Sequence, residues 1–144
     1  MKPTNSNAPV KCIKSITIQA KPEKVWHYLT TINDWPLWQA DIKHANLMGN
    51  LQPGTAFRWT TGSSKIQSTL HTVEPFKYFG WTGKVFGLVA IHNWTIEKEN
   101  EGTRVCVDES LEGWLALLFK GSFNKDLERG MQRWLDMLKK VCEN

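Results

Sequence analysis

No apolar run in this chain is long enough to cross a bilayer. The longest, Trp114 to Phe119, is six residues, against roughly 20 needed for a span. No apolar stretch follows the lysine of Lys2-Pro3-Thr4-Asn5-Ser6-Asn7, so a secretory signal is not expected there. Residues 1–10 are expected to form a flexible N-terminal tail, because they offer little to bury. Cysteine is scarce. Cys12, Cys106 and Cys142 are widely spaced, with no C-x-x-C and no Cys/His cluster, so no metal site is expected. Reduced thiols in a cytoplasmic compartment are the expectation, with a pairing of two of them left open. Gly-x-Ser-x-Gly is absent, as is a glycine-rich phosphate loop ahead of a helix. Covalent catalysis and nucleotide hydrolysis are therefore poor fits, and no cofactor is called for. The net charge of +4 is spread along the chain, and no basic stripe interleaves with aromatics, so no nucleic-acid partner is expected.

What the chain does have is tryptophan. There are eight in 144 residues, and Trp59, Trp81 and Trp94 fall on short alternating segments. A buried indole needs a partner for its N–H, a demand that Leu, Ile and Val do not make. So many rings point either to an aromatic core or to an aromatic-lined cavity for a flat apolar ligand. The length suits one domain over residues 11–144, and 41% apolar with 22% charged residues is ordinary for a globular protein.

Lys14 to Ala20 alternates polar and apolar residues, the mark of a half-buried strand. Pro22 opens a helix at a position where its missing N–H costs nothing. Val25, Leu29 and Ile32 keep helical spacing, and Asp34 can cap a second short helix through Trp35-Pro36-Leu37-Trp38. From there to residue 111 the period is two. Strands are expected over 42–47, 55–61, 65–73, 78–85, 88–97 and 103–111, separated by turn signals such as Pro53-Gly54 and Asn100-Glu101-Gly102. Short connections favour antiparallel pairing. The last thirty residues repeat apolar side chains every three or four positions, from Leu115 to Val141, which gives a long amphipathic helix kinked near Gly121. The fold class is α+β: a curved antiparallel sheet of about six or seven strands wrapped on a long C-terminal helix, with two short helices after the first strand.

Several short words stand in this order: Ala20-Lys21-Pro22-Glu23-Lys24-Val25-Trp26, Asp34-Trp35-Pro36-Leu37-Trp38, Pro53-Gly54-Thr55-Ala56-Phe57-Arg58-Trp59, Val73-Glu74-Pro75, Trp81-Thr82-Gly83, Gly102-Thr103-Arg104-Val105 and Glu109-Ser110-Leu111-Glu112-Gly113. With them the chain resembles the START/polyketide cyclase-dehydrase (SRPBCC) superfamily, the helix-grip fold shared with the birch-pollen-allergen family. The resemblance spans roughly residues 13–142. It implies a pocket between sheet and long helix, and it implies no common catalytic motif.

Strand parity gives the pocket candidates. Phe57 and Trp59 share one face, as do Phe79 and Trp81, and as do Ala90, His92, Trp94 and Ile96. Val105, Val107, Glu109 and Leu111 share one face of their strand, and the resemblance implies that the end of the second short helix, Trp38, sits near the pocket mouth or base. On 65–73 the parity is ambiguous, with Ile66, Ser68 and Leu70 competing against Thr69, His71 and Val73. The candidate ligand-binding set is Trp38, Phe57, Trp59, Phe79, Trp81, His92, Trp94, Val107 and Glu109, with His92 and Glu109 as the candidate acid/base pair. The plainer readings are a core histidine paired with a carboxylate, and Trp26 and Trp134 as structural. His27 and His44 read as surface residues. The leading expectation is a protein that binds a small hydrophobic molecule, aromatic, polyketide-like or lipid, as monomer or homodimer. A cyclase/dehydrase enzyme that uses His92 and Glu109 is the alternative. A protein-interaction module of the chaperone-ATPase-activator type is a further one.

Overall fold

The computed structural model describes Met1–Asn144. The chain runs β1 (Val10–Ile18), α1 (Pro22–Thr30), a 3-10 turn at Ile32–Asp34, and α2 (Trp35–Trp38). Six strands follow: β2 (Ile42–Leu47), β3 (Ala56–Thr61), β4 (Ser64–Glu74), β5 (Tyr78–Val85), β6 (Leu88–Glu99) and β7 (Gly102–Glu112). Two helices close the chain, α3 (Trp114–Leu118) and α4 (Lys120–Glu143). All seven strands form one antiparallel sheet in the order β1-β7-β6-β5-β4-β3-β2. This is the helix-grip arrangement. The strands from β2 to β7 form a meander, because each connection is too short to do anything else. No helix is long and apolar enough to cross a membrane.

Pro22 stands in the first turn of α1 as its chemistry favours. Asp34, by contrast, makes no capping hydrogen bond to α2 and belongs to the preceding 3-10 turn. Asn33 takes the structural role there, its side-chain oxygen accepting from the Leu47 N–H at 2.7 Å and tying the short helices to β2.

Three boundaries differ from the sequence expectation. β1 starts at Val10 rather than Lys14, because Val10 is fully buried and pairs with Leu111. The C-terminal helix breaks at Phe119, whose φ of −117° and ψ of 36° are non-helical, and not at Gly121, which is helical. In β4 the register slips between Leu70 and Thr72. Ser68 and Leu70 point inward ahead of the bulge, and Val73 packs on the core after it. Both competing parities are therefore half right, since a bulge reverses the alternation.

Residues 2–5 carry no regular structure but cross the outer face of the sheet. The Asn93 side-chain amide donates to the Lys2 carbonyl (2.7 Å), and Thr4 donates to Asp108 (2.9 Å). The Asn5 side-chain amide donates to Glu112 (2.7 Å). The three cysteines are free. Cys12 shares the inward face of β1 with Val10, while Cys106 lies between the inward-facing Val105 and Val107 and so points the other way.

Candidate functional site

The concave face of the sheet is where this architecture leaves room, and aromatic rings occupy most of it. Trp35 is the hub. Its ring centroid lies 5.6 Å from Phe57, 5.8 Å from Trp59, 5.6 Å from Trp81 and 5.2 Å from Trp134. The Trp35 Nε1–H donates to the Leu29 carbonyl at 3.1 Å, so α1 fixes the indole that plugs the sheet. Trp35 is fully buried, and no pattern in the sequence singles it out. A four-residue helix is too short to show a period, and its flanking Pro36 and Trp38 were the only signal.

A cavity of about 240 Å³ remains beside this plug. It sits toward the end of the sheet where the β3–β4 and β5–β6 turns lie. Trp59, Trp81, Ile66, Leu88 and Leu111 supply its apolar wall, and Glu109 brings a carboxylate to it. Of the nine predicted ligand-binding residues, Trp59, Trp81 and Glu109 line this space. Phe57, Phe79, Trp94 and Val107 are fully buried in the core, and Trp38 packs on Tyr28 and Trp134. Strand parity places Leu111 on the face of Glu109, whereas Ile66, Ser68 and Leu88 were not among the expected wall residues. Ile66 and Ser68 carried a signal, since they belonged to one of the two parities left open on β4.

His92 lies directly behind the wall. Its ring stacks on Trp81 at 4.4 Å with the planes 9° apart, and the Trp94 ring lies 5.4 Å away, tilted by 52°. His92 and Glu109 are cross-strand partners in the β6–β7 register. His92 Nδ1 lies 3.0 Å from Glu109 Oε2. An ionised carboxylate can only accept, so Nδ1 carries the proton in that state. Nε2 is buried without a partner. Glu109 thus joins the buried imidazole to the cavity. Trp59 Nε1–H is already committed, donating to Ser68 Oγ at 3.1 Å. Opposite Glu109 on β1 lies Cys12. Burial pushes its thiol above the usual range, with a counteracting pull from Lys14, so Cys12 is a weak nucleophile.

The remaining histidines lie elsewhere. His27 and His44 are exposed. His71 is the bulge residue of β4 on the outer face, with Nδ1 2.7 Å from Thr72 Oγ1. No group of three or more His, Cys, Asp or Glu side chains comes together in a way that could hold a metal ion.

Comparison with known proteins fits this geometry. The family model described as polyketide cyclase / dehydrase and lipid transport matches residues 10–143. No curated protein matches the chain. Among solved structures, the hypothetical protein jhp0584 from Helicobacter pylori is 20% identical with a TM-score of 0.85, covering 99% of this chain and 97% of that one. A START superfamily protein from Mycobacterium smegmatis is 12% identical with a TM-score of 0.77, over 92% of this chain and 97% of that one. The di-domain ARO/CYC StfQ from the steffimycin biosynthetic pathway is 12% identical with a TM-score of 0.78, over 93% of this chain and 50% of that one. At such identities the likeness is one of fold.

Proposed function

Because the chain belongs to the polyketide cyclase / dehydrase and lipid transport family, we propose that it binds a small flat apolar molecule of one or two rings in the cavity over Trp59 and Trp81. The observation that carries this reading is the lining, a mostly apolar wall with one carboxylate, Glu109, reaching in. Size narrows the ligand. A dry apolar cavity of about 150 Å³ takes benzene, and drug-sized ligands occupy roughly 300–1,000 Å³. At about 240 Å³ the space suits one or two rings and is too small for an extended polyketide or a phospholipid. Affinity comes from apolar burial, about 25 cal/mol per Å² before the costs of association. Orientation comes from Glu109, which as an acceptor selects a ligand with a phenolic O–H or an N–H.

Native mass spectrometry of the purified protein should show a co-purifying small apolar species, and naphthol-sized phenols should quench tryptophan emission. A protein that is empty and whose emission ignores such a series overturns the reading.

The contact between His92 and Glu109 favours a second reading, proton transfer on the bound molecule. A carboxylate at the cavity, backed by an imidazole 3.0 Å away, can take a proton and share it. If so, Glu109→Gln and His92→Ala should each abolish turnover while the protein stays folded. Turnover that survives both substitutions removes this reading and leaves binding intact.

A further inference from the structure

The largest concentration of exposed apolar side chains lies on the rim of the cavity. Phe86, at the tip of the β5–β6 turn, is 80% exposed, and Leu117 and Leu118 on α3 are 70% and 66% exposed. Trp114 and Phe119 are also more than half exposed. These residues form one continuous patch. Phe86 and Trp114 meet edge to face at 5.6 Å. The Leu115 N–H donates to the Gly87 carbonyl at 3.3 Å, which ties α3 to the turn. Gly87 and Gly113, at φ of +73° and +115°, let the two segments pack so closely. A β-carbon on Gly113 would collide with the Gly87 carbonyl oxygen. Of the five residues of α3, only Ala116 is buried.

Charge identifies what would cover this patch. Across residues 84–89 and 114–125 the ionisable side chains are Lys84, Lys120 and Lys125, all exposed, with no acidic residue. Of the nearest carboxylates in sequence, Asp126 pairs with Arg129 at 3.1 Å, and Glu112, which keeps its charge, is held by the Asn5 amide at 2.7 Å. Exposed aromatic and aliphatic side chains with Lys84 and Lys120 next to them in the chain match the boundary of an anionic bilayer. They match a second copy of this chain poorly, since a two-fold contact would bring both sets of lysines together.

We propose that the β5–β6 turn and α3 dock this protein on anionic lipid surfaces, with Phe86, Leu117 and Leu118 at headgroup depth. Six consecutive apolar residues cannot span, so the contact lies in the interface. Lys84, Val85 and Leu88 belong to the cavity wall as well. Docking therefore sets the cavity beside the lipid, and an apolar ligand can pass between them with little exposure to water. The docking surface stands independently of what the cavity holds, and the test reads the surface alone.

The test is flotation of the full chain with phosphatidylcholine vesicles, with and without phosphatidylglycerol. Binding should need phosphatidylglycerol and weaken as salt rises. Lys120→Glu should lower partitioning by more than about fivefold, the scale expected per lysine near such a surface. Leu117→Asp with Leu118→Asp should abolish it. These side chains face solvent, so thermal unfolding should be unchanged, and Lys120→Glu gives an independent reading if the double variant misfolds. Absence of binding, equal binding to both vesicle types, or binding unaffected by both variants overturns the proposal. So does a lipid-free dimer, seen by sedimentation, that dissociates on Leu118→Asp, which would assign the patch to self-association.

Discussion

A tryptophan surrounded by four aromatic rings at 5.2–5.8 Å leaves a void when it is cut back, because stiff neighbours cannot collapse into the space. Trp35→Ala should therefore cost about 3–5 kcal/mol in urea unfolding. Trp114→Ala, on a side chain 55% exposed, should stay within about 0.5 kcal/mol. Equal costs would mean that Trp35 is not the keystone of the concave face. A second residue-scale effect belongs to His71. Burial lowers the pKa of its imidazole, and Lys2 and the N-terminal amine push it further down, against an opposing pull from Asn93. The fold thus holds fewer protons on His71 than the unfolded chain does. Stability is whole above the unfolded value of about 6.5 and is lost as pH falls below it. Lys2→Gln should raise the titration midpoint of His71, followed by NMR, and should flatten the loss of stability as pH falls below about 6.5. An unmoved midpoint would mean that the N-terminal segment does not lie over His71 in solution.

At the scale of elements, α4 is two helices in function. From Met131 onward it buries Trp134, Leu135 and Leu138 against the sheet, whereas the stretch from Lys120 to Gly130 has no buried residue. Gly121 and Gly130 sit in this weakly held half, and a β-carbon at either meets nothing within 4 Å. Gly121→Ala and Gly130→Ala should each stabilise the protein by about 0.5–1 kcal/mol in urea unfolding, from helix propensity alone. A loss would show that the first half of α4 packs more tightly than its exposure suggests. The same elements mark what the sequence made legible. Period-two alternation and turn words placed six strands within a few residues, because each signal is local. The bulge at His71 was not legible, since nothing in Leu70-His71-Thr72 marks the extra residue until its neighbours on β5 are known. The break at Phe119 was hidden likewise, since apolar spacing of three and four runs through it unchanged. Parity put Trp59, Trp81 and Glu109 on inward faces. It could not say that Phe57, Phe79 and Trp94 would close up into core, which depends on rings from other elements, Trp35 over Phe57, Trp26 over Phe79 and Trp134 over Trp94.

For the whole molecule, the balance between core and cavity is a trade between stability and binding, and Ala90 is the place to measure it. It lies in the cavity wall on β6 and is only partly buried. Gly83, beside it, is the poorer choice, because a β-carbon there comes within 3.1 Å of Ser68 Oγ, the acceptor for Trp59. Ala90→Leu should send its added carbons into the void. Each buried methylene contributes up to about 0.8 kcal/mol, so the empty variant should be more stable than the empty wild type by about 1–2 kcal/mol. A bound ligand reverses the order. At a concentration of about 100 times Kd it adds roughly 2.7 kcal/mol to the wild type and should add nothing to a variant whose cavity is filled. Thermal unfolding of both proteins, with and without a naphthol-sized phenol, reads the four states. If Ala90→Leu lowers stability, the wall is already closed and overpacking is what has been measured. In that case Trp59 and Trp81 are core residues like Trp35. If stability rises and the ligand shift disappears, the two indoles border a space that the fold keeps open at a cost in its own stability.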